Sequence, residues 1–164
     1  MCPEPAEGEA AFEIKECRNG NISAVQAILA ASPGAAQWSD QAIANALEAN
    51  PACHFVSMIH GEVTGFISGR RAAGEGEILN LAVKPKFRRR GMGQTLVNIV
   101  LESFHRDGVV QVFLEVRESN HAAISFYERL GFRDVGRRGN YYHDPEEAAL
   151  VLGRSLDPAR SWDI

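Results

Sequence analysis

Asn80-Leu81-Ala82-Val83-Lys84-Pro85-Lys86-Phe87-Arg88-Arg89-Arg90-Gly91-Met92-Gly93-Gln94-Thr95-Leu96 is the stretch that decides the fold of this chain. It begins as the end of an apolar strand, Glu77 to Val83, and passes through a basic loop, Lys84 to Arg90. It then enters an amphipathic helix from about Gly91 to His105, with Leu96, Val97, Val100, Leu101 and Phe104 on one face. A further apolar strand, Val109 to Val116, follows. Strand, helix and strand in that succession demand a parallel pair, because the crossover is a helix. The loop suits a diphosphate. The first amides of a helix have no partner within it and point outward together. Gly91 and Gly93 carry no Cβ, so an anion can approach that backbone closely. A helix end alone attracts an exposed anion by only about 0.3–1 kcal/mol. The adjacent Arg88, Arg89 and Arg90 supply the larger, charge-assisted contacts.

The charge balance agrees with that reading. The chain has 17 basic residues against 21 acidic, a net charge of −4. Residues 84–90 hold five of the basic side chains and no acidic one, which leaves 12 against 21, or −9, elsewhere. A general nucleic-acid binder is disfavoured, since phosphate binding needs net or strongly clustered positive charge, while an RNA-binding patch at the basic loop stays open as a rival reading, although stacking aromatics are sparse around it. Two other phosphate motifs fail. Gly93 is followed by Gln94-Thr95 rather than Lys-Ser/Thr, and Leu96 stands where a dinucleotide fingerprint needs its third glycine.

Outward from this centre, 164 residues with 45% apolar and 23% charged side chains suit one globular domain. The Glu/Ala/Pro-rich residues 1–11 are expected to be disordered, residues 12–154 to form the domain, and residues 155–164 to be a polar tail. Phe12 to Cys17 reads as a strand. Asn21 is placed to cap a helix carrying Ile22, Val25, Ile28 and Leu29, which Ser32-Pro33-Gly34 stops. Ser39 caps a second helix with Ile43, Ala46 and Leu47 on one face. Cys53 to His60, Val63 to Arg70 and Glu77 to Val83 form an antiparallel meander, with turns at His60-Gly61-Glu62 and Gly74-Glu75-Gly76. After Val116, a helix from about Asn120 to Leu130 is expected to bury Ala123, Phe126, Tyr127 and Leu130, with Gly131 past its end. Phe132 to Arg138 and Ala148 to Leu152 are closing strands joined by a polar loop that contains Tyr141, Tyr142 and His143. The order is β-α-α-β-β-β-α-β-α-β-β. This predicts an α/β (α+β) domain, one mixed sheet with helices on both faces.

Cys2, Cys17 and Cys53 are odd in number and widely spaced, which suggests neither a disulfide framework nor a metal site. His54, His60, His105, His121 and His143 show no metal spacing. The acidic start has no apolar core and no run approaches the ~20 apolar residues of a membrane span, so a cytoplasmic protein without a membrane partner is expected.

Arg88-x-x-Gly91-x-Gly93, with Asn80-Leu81-Ala82-Val83 ahead of it, resembles motif A of the GNAT acetyltransferase superfamily. Leu114-Glu115-Val116-Arg117-x-Ser119-Asn120 and Ala123-Ile124-x-Phe126-Tyr127-Glu128-x-Leu130-Gly131-Phe132 resemble its motif B. Asn140-Tyr141-Tyr142 and Glu146-Glu147-Ala148 are similar to the branch of bacterial ribosomal-protein-alanine N-acetyltransferases. The resemblance implies acetyl-CoA as cosubstrate and no metal. It implies that the fourth and fifth strands splay apart, so that backbone at Leu81, Ala82 and Val83 faces the acetyl and pantetheine groups. Arg88 and the segment Arg89, Arg90, Gly91, Met92, Gly93 and Gln94 would hold the diphosphate, and Asn120 the coenzyme arm. Glu115 would be the general base and Tyr127 the general acid. The acceptor would be the N-terminal amine of a small-subunit ribosomal protein. A lysine side chain, another protein N-terminus, a small amine, or a coenzyme-sensing role without turnover are the rival readings.

The chemistry has use for both residues. An α-amino group of pKa ~8 is about one tenth neutral at pH 7, so a carboxylate of modest basicity, acting directly or through water, serves as its base. The leaving thiolate, of pKa ~8.5, gains from a phenol that protonates or hydrogen-bonds it. Backbone N–H near Leu81 can polarise the thioester carbonyl. Attack is direct, since Cys53 has no local partner pattern for a covalent route. The structural alternative for Glu115 is an ion pair with Arg117, two residues along the same strand face; for Tyr127 it is a core tyrosine bonded to backbone.

Overall fold

A computed structural model describes residues 11–157. The expectations for residues 1–10, Cys2 and the tail beyond Asp157 lie outside the described residues. The elements are β1 (Glu13–Glu16), α1 (Ile22–Ala30), α2 (Asp40–Ala49), β2 (His54–Ile59), β3 (Glu62–Ala72), β4 (Glu75–Val83), α3 (Met92–Arg106), β5 (Gln111–Arg117), α4 (His121–Arg129), β6 (Arg133–His143) and β7 (Glu146–Ser155). The seven strands form one sheet in the order β1-β2-β3-β4-β5-β7-β6. Only β4 and β5 run parallel, as the helical crossover requires. Short β1 and long β6 are the two edges.

Each face of the sheet carries its own core. On one, Leu96, Val97, Val100 and Phe104 of α3 pack with Val112, Leu114 and Val116 of β5, and with Tyr127 and Phe132. On the other, Val25, Ile28 and Leu29 of α1 and Ile43 of α2 pack on Val56, Val63, Phe66 and Ala82. Phe104 fits because Gly69 and Gly76 have no side chain: a Cβ at either would stand within 2.9 Å of its ring.

Several local expectations are corrected. Asn21 does not cap α1. Its own backbone is already helical, and its Oδ1 turns back to accept from Arg18 N–H at 2.9 Å. Ser39 does cap α2, accepting from Ala42 N–H at 3.1 Å. The second meander turn is Ala73-Gly74, both with positive φ, so β4 begins at Glu75. In α4 only Tyr127 is buried; Ala123 and Phe126, and Leu130 just past its end, are half-buried. The polar loop does not exist as a loop. β6 and β7 continue to a turn at Asp144-Pro145, pairing Tyr142 with Glu147 and His143 with Glu146. Backbone pairing to β7 holds this stretch, so it shows no apolar alternation in sequence. Asn140, with φ +52, takes up the register shift between Arg138 and Tyr142.

No helix among the described residues is long and apolar enough to cross a membrane. Among the buried polar residues, His54 bonds Ser68 Oγ through Nδ1 at 2.9 Å, and burial lowers its pKa from 6.5. Unfolding restores the ordinary value, so the unfolded chain takes up a proton that the folded chain refuses. The stability due to neutral His54 is complete above about pH 6.5 and is lost as the pH falls below it. Urea denaturation is expected to show a lower midpoint at about pH 5 than at about pH 7, with a smaller drop in His54→Gln.

Candidate active site

The sheet opens at its centre. Pairing between β4 and β5 covers Glu75 to Ile78 against Gln111 to Leu114 and stops there. The register of β4 on β3 shifts at the same place: Asn80 pairs with Ser68 and Ile78 with Gly69, which leaves Leu79 as an extra residue. A bulge bends a strand and turns its pleat. Beyond it, Leu79 to Val83 have no partner on the β5 side, and Glu115 to Arg117 pair only with β7. Lys84 N–H bonds Thr64 O of β3 at 2.8 Å. Alternation along the ladder therefore turns the peptide groups of Ala82 toward β3 and those of Leu81 and Val83 toward the gap.

The start of α3 lies beyond that open edge. Gly91 is its N-cap at φ +80, with no side chain capping the helix. Thr95 N–H is the first to reach a helix carbonyl, that of Gly91 at 3.0 Å, so the amides of Met92, Gly93 and Gln94 stay unpaired within the helix. Gly93 has a second reason to be glycine, since a Cβ there would meet Phe126 Cζ at 3.3 Å. The Met92 side chain is buried, with its sulfur 3.4 Å from Thr64 Oγ1, so only its backbone faces outward. The three arginines differ. Arg88 Nε donates to Val83 O at 3.0 Å and fixes the loop to β4. Arg89 and Arg90 are exposed and have no carboxylate partner among the described residues; Arg90 lies over Phe87 at 5.4 Å. An unpaired strand edge followed by free amides and two free guanidinium groups fits a ligand with an amide-bearing arm and a diphosphate.

Glu115 and Tyr127 flank the gap from opposite faces. Leu114 and Val116 belong to the α3-side core, so Glu115 projects from the other face. Tyr127 sits in the α3-side core, edge-on to Phe126 and Phe132 at 5.1 and 5.6 Å. Burial pushes its phenol pKa up, and its side chain makes no hydrogen bond among the described residues. It is therefore not the backbone-bonded core tyrosine of the alternative reading. The alternative pairing of Glu115 with Arg117 is not formed either. Glu115 Oε1 lies 3.0 Å from Arg138 Nε of β6. Arg117 instead bonds Glu147 at 3.3 Å, stacks on Tyr142 at 4.2 Å and donates to Pro145 O at 3.1 Å. Asn120 accepts from Ala123 N–H at 3.2 Å and caps α4, leaving its amide group beside Gly34.

Sequence reading gave no role to two groups here. Asn80 holds the loop between α1 and α2, accepting from Ala36 N–H at 3.2 Å and donating to Ala36 O at 2.9 Å. Arg138 reaches Glu115 from two strands away, across β7, and no local pattern marks either contact.

A model of the acetyltransferase (GNAT) family matches residues 22–132. The chain belongs to that family. It is an acetyltransferase, an enzyme that moves an acetyl group. The [ribosomal protein bS18]-alanine N-acetyltransferase of Escherichia coli is 32% identical over 117 residues, 70% of this chain and 78% of that protein. The crystal structure of Ard1 from Thermoplasma volcanium superposes with a TM-score of 0.84 at 31% identity, covering 90% of this chain and 99% of that one. The ribosomal-protein-S18-alanine N-acetyltransferase from Escherichia coli superposes at 0.80 with 26% identity, covering 94% and 99%.

In this GNAT domain the hairpin end over Glu115 is tied down by Arg117 and Glu147, whose carboxyl also accepts from Ser119 N–H at 2.6 Å. Arg117→Leu is expected to speed amide exchange at Tyr141 to Glu147 by about ten-fold, the loss of one charge-assisted contact. Exchange in the β3–β4 core should not change.

Proposed function

We propose that this acetyltransferase moves the acetyl group of acetyl-CoA to the N-terminal α-amine of a protein, with alanine as the first residue and a small-subunit ribosomal protein as the target. The observation that carries the reading is the gap between β4 and β5, with a carboxylate on one face of the sheet and an unbonded phenol on the other. Acetyl-CoA supplies the acetyl thioester. The open edge at Leu81 and the N–H of Val83, whose carbonyl Arg88 already holds, pair with its amide arm, and Leu81 N–H is assigned to the thioester oxygen. The amides of Met92, Gly93 and Gln94, with Arg89 and Arg90, hold the diphosphate. Arg88 keeps the loop in place, and Asn120, whose amide lies beside Gly34, is assigned to the coenzyme arm.

The acceptor enters from the face that carries Glu115. Its amine loses a proton to Glu115 and attacks the thioester carbon directly. Tyr127 gives its proton to, or hydrogen-bonds, the departing sulfur from the other face. A phenol raised by burial stays protonated at neutral pH, as a donor must. The α-amine assignment rests on the bS18-alanine relative above and on the modest base that such an amine needs.

Transfer to a synthetic peptide with N-terminal alanine is measured with acetyl-CoA and read by mass spectrometry. Glu115→Gln and Tyr127→Phe are each expected to lower kcat by about 100-fold. Acetylation confined to lysine side chains of the peptide would reject the α-amine reading. Isothermal titration without any acetyl-CoA heat would reject the donor site.

A further inference from the structure

Glu115 does not wait for an acceptor with a bare carboxylate. Arg138 of β6 reaches across β7 and sets its Nε 3.0 Å from Glu115 Oε1. The pair is lopsided: the Glu115 side chain is 16% exposed and that of Arg138 is 61% exposed. The guanidinium is thus the outer member and covers the carboxylate from the solvent side. The Tyr141 hydroxyl, three residues further along β6, faces the same carboxylate, whose negative charge pushes its phenol up to about 12. The Tyr141 ring also lies 5.8 Å from the Arg138 guanidinium. Arg117, the other cation on that face of β5, is committed to Glu147 and Tyr142 and does not compete for Glu115.

An α-amine arrives mostly as ammonium, about nine tenths protonated at pH 7. It is a cation approaching a carboxylate that already holds a cation. We propose that Arg138 is the placeholder for the acceptor's ammonium group: it occupies Glu115 in the free enzyme and yields the carboxylate when the amino terminus of the acceptor docks. This inference rests on Glu115 as the base of the proposed function. The exchange conserves charge at the site, since one cation leaves as another enters. It is also easy, because an ion pair with one well-exposed partner is weak, and a long arginine side chain can swing into water without moving the strand. Until the exchange the arginine keeps a largely covered carboxylate paired, where an unpaired one would be costly. Arg138 is then a specificity-determining residue for the acceptor, acting through Glu115 and not on the reacting atoms.

The test is steady-state kinetics on the full chain with the N-terminal-alanine peptide at saturating acetyl-CoA, comparing wild type, Arg138→Gln, Arg138→Lys and Glu115→Gln. Arg138→Gln is expected to raise kcat/KM for the peptide by about two- to five-fold, through a lower peptide KM, the range of one exposed ion pair. The KM for acetyl-CoA should not follow. Arg138→Lys, which keeps the cation, should restore the wild-type peptide KM. Damage to the fold would lower kcat and would not tighten the acceptor KM. A raised or unchanged peptide KM in Arg138→Gln overturns the proposal, since the arginine would then bind the acceptor or do nothing to it. Glu115→Gln with undiminished kcat removes the base itself, and with it both the reading and this inference, which a changed KM in the arginine variants alone would not do.

Discussion

The parting of β4 from β5 is the constraint on which the rest of the molecule depends. A parallel pair held by regular bonding along its length would bury every peptide group between the two strands. Here the extra residue at Leu79 ends that pairing after Ile78. An interior strand edge with unpaired backbone groups is costly unless something satisfies it. The fold supports it by securing everything around it: β4 remains bonded to β3, β5 remains bonded to β7, and α3 and α4 pack beneath. The gap is therefore a rigid slot with fixed walls, which is what holding two reactants in alignment requires.

The surroundings of the slot are arranged from both sides of the sheet. Asn80, on the strand that leaves, clasps Ala36 in the loop between α1 and α2. Asn120, just after the strand that stays, lies against Gly34 of the same loop. The loop over the acceptor face is thus referenced to both walls. The hairpin end of β6 and β7 is referenced to β5 through Arg117 and Glu147. The loop between α1 and α2 also anchors through Trp38, edge-on to Phe66 at 6.4 Å. Polar bonds to the strands fix the details of both segments, so the acceptor face adds directional interactions to a core shaped by packing.

Much of this was legible in the chain. The apolar period of α3, the helical crossover and the glycines after the arginine run specify the element order and the parallel pair, and the motif residues around Arg88 and Glu115 specify the family. What escaped is non-local or two-sided. Tyr141 and Tyr142 read as loop because a strand stabilised by backbone pairing and cation–aromatic contacts has no alternation to show. Arg117, two residues along the same face, is the partner that spacing offers Glu115 as the alternative to a base, whereas Arg138 lies across β7 and no spacing marks it. Asn21 read as a cap because residue type gives no warning that a 3-10 turn at Asn19–Asn21 already precedes the helix. Gly93 read as room for an anion, and it is equally room for the Phe126 ring.

The outer strand β6 has one more consequence. An 11-residue edge presents a row of unsatisfied backbone groups, the usual template on which a second copy would add a strand and begin a fibre. This border is poorly made for that. Its pairing with β7 is irregular between Asp134 and Gly136 and again between Arg138 and Tyr142, so it offers no long straight segment. Arg133, Arg137 and Arg138 along it would bring like charges together if two such borders met. The irregular hairpin that carries groups to the acceptor face thereby also guards the sheet against self-association.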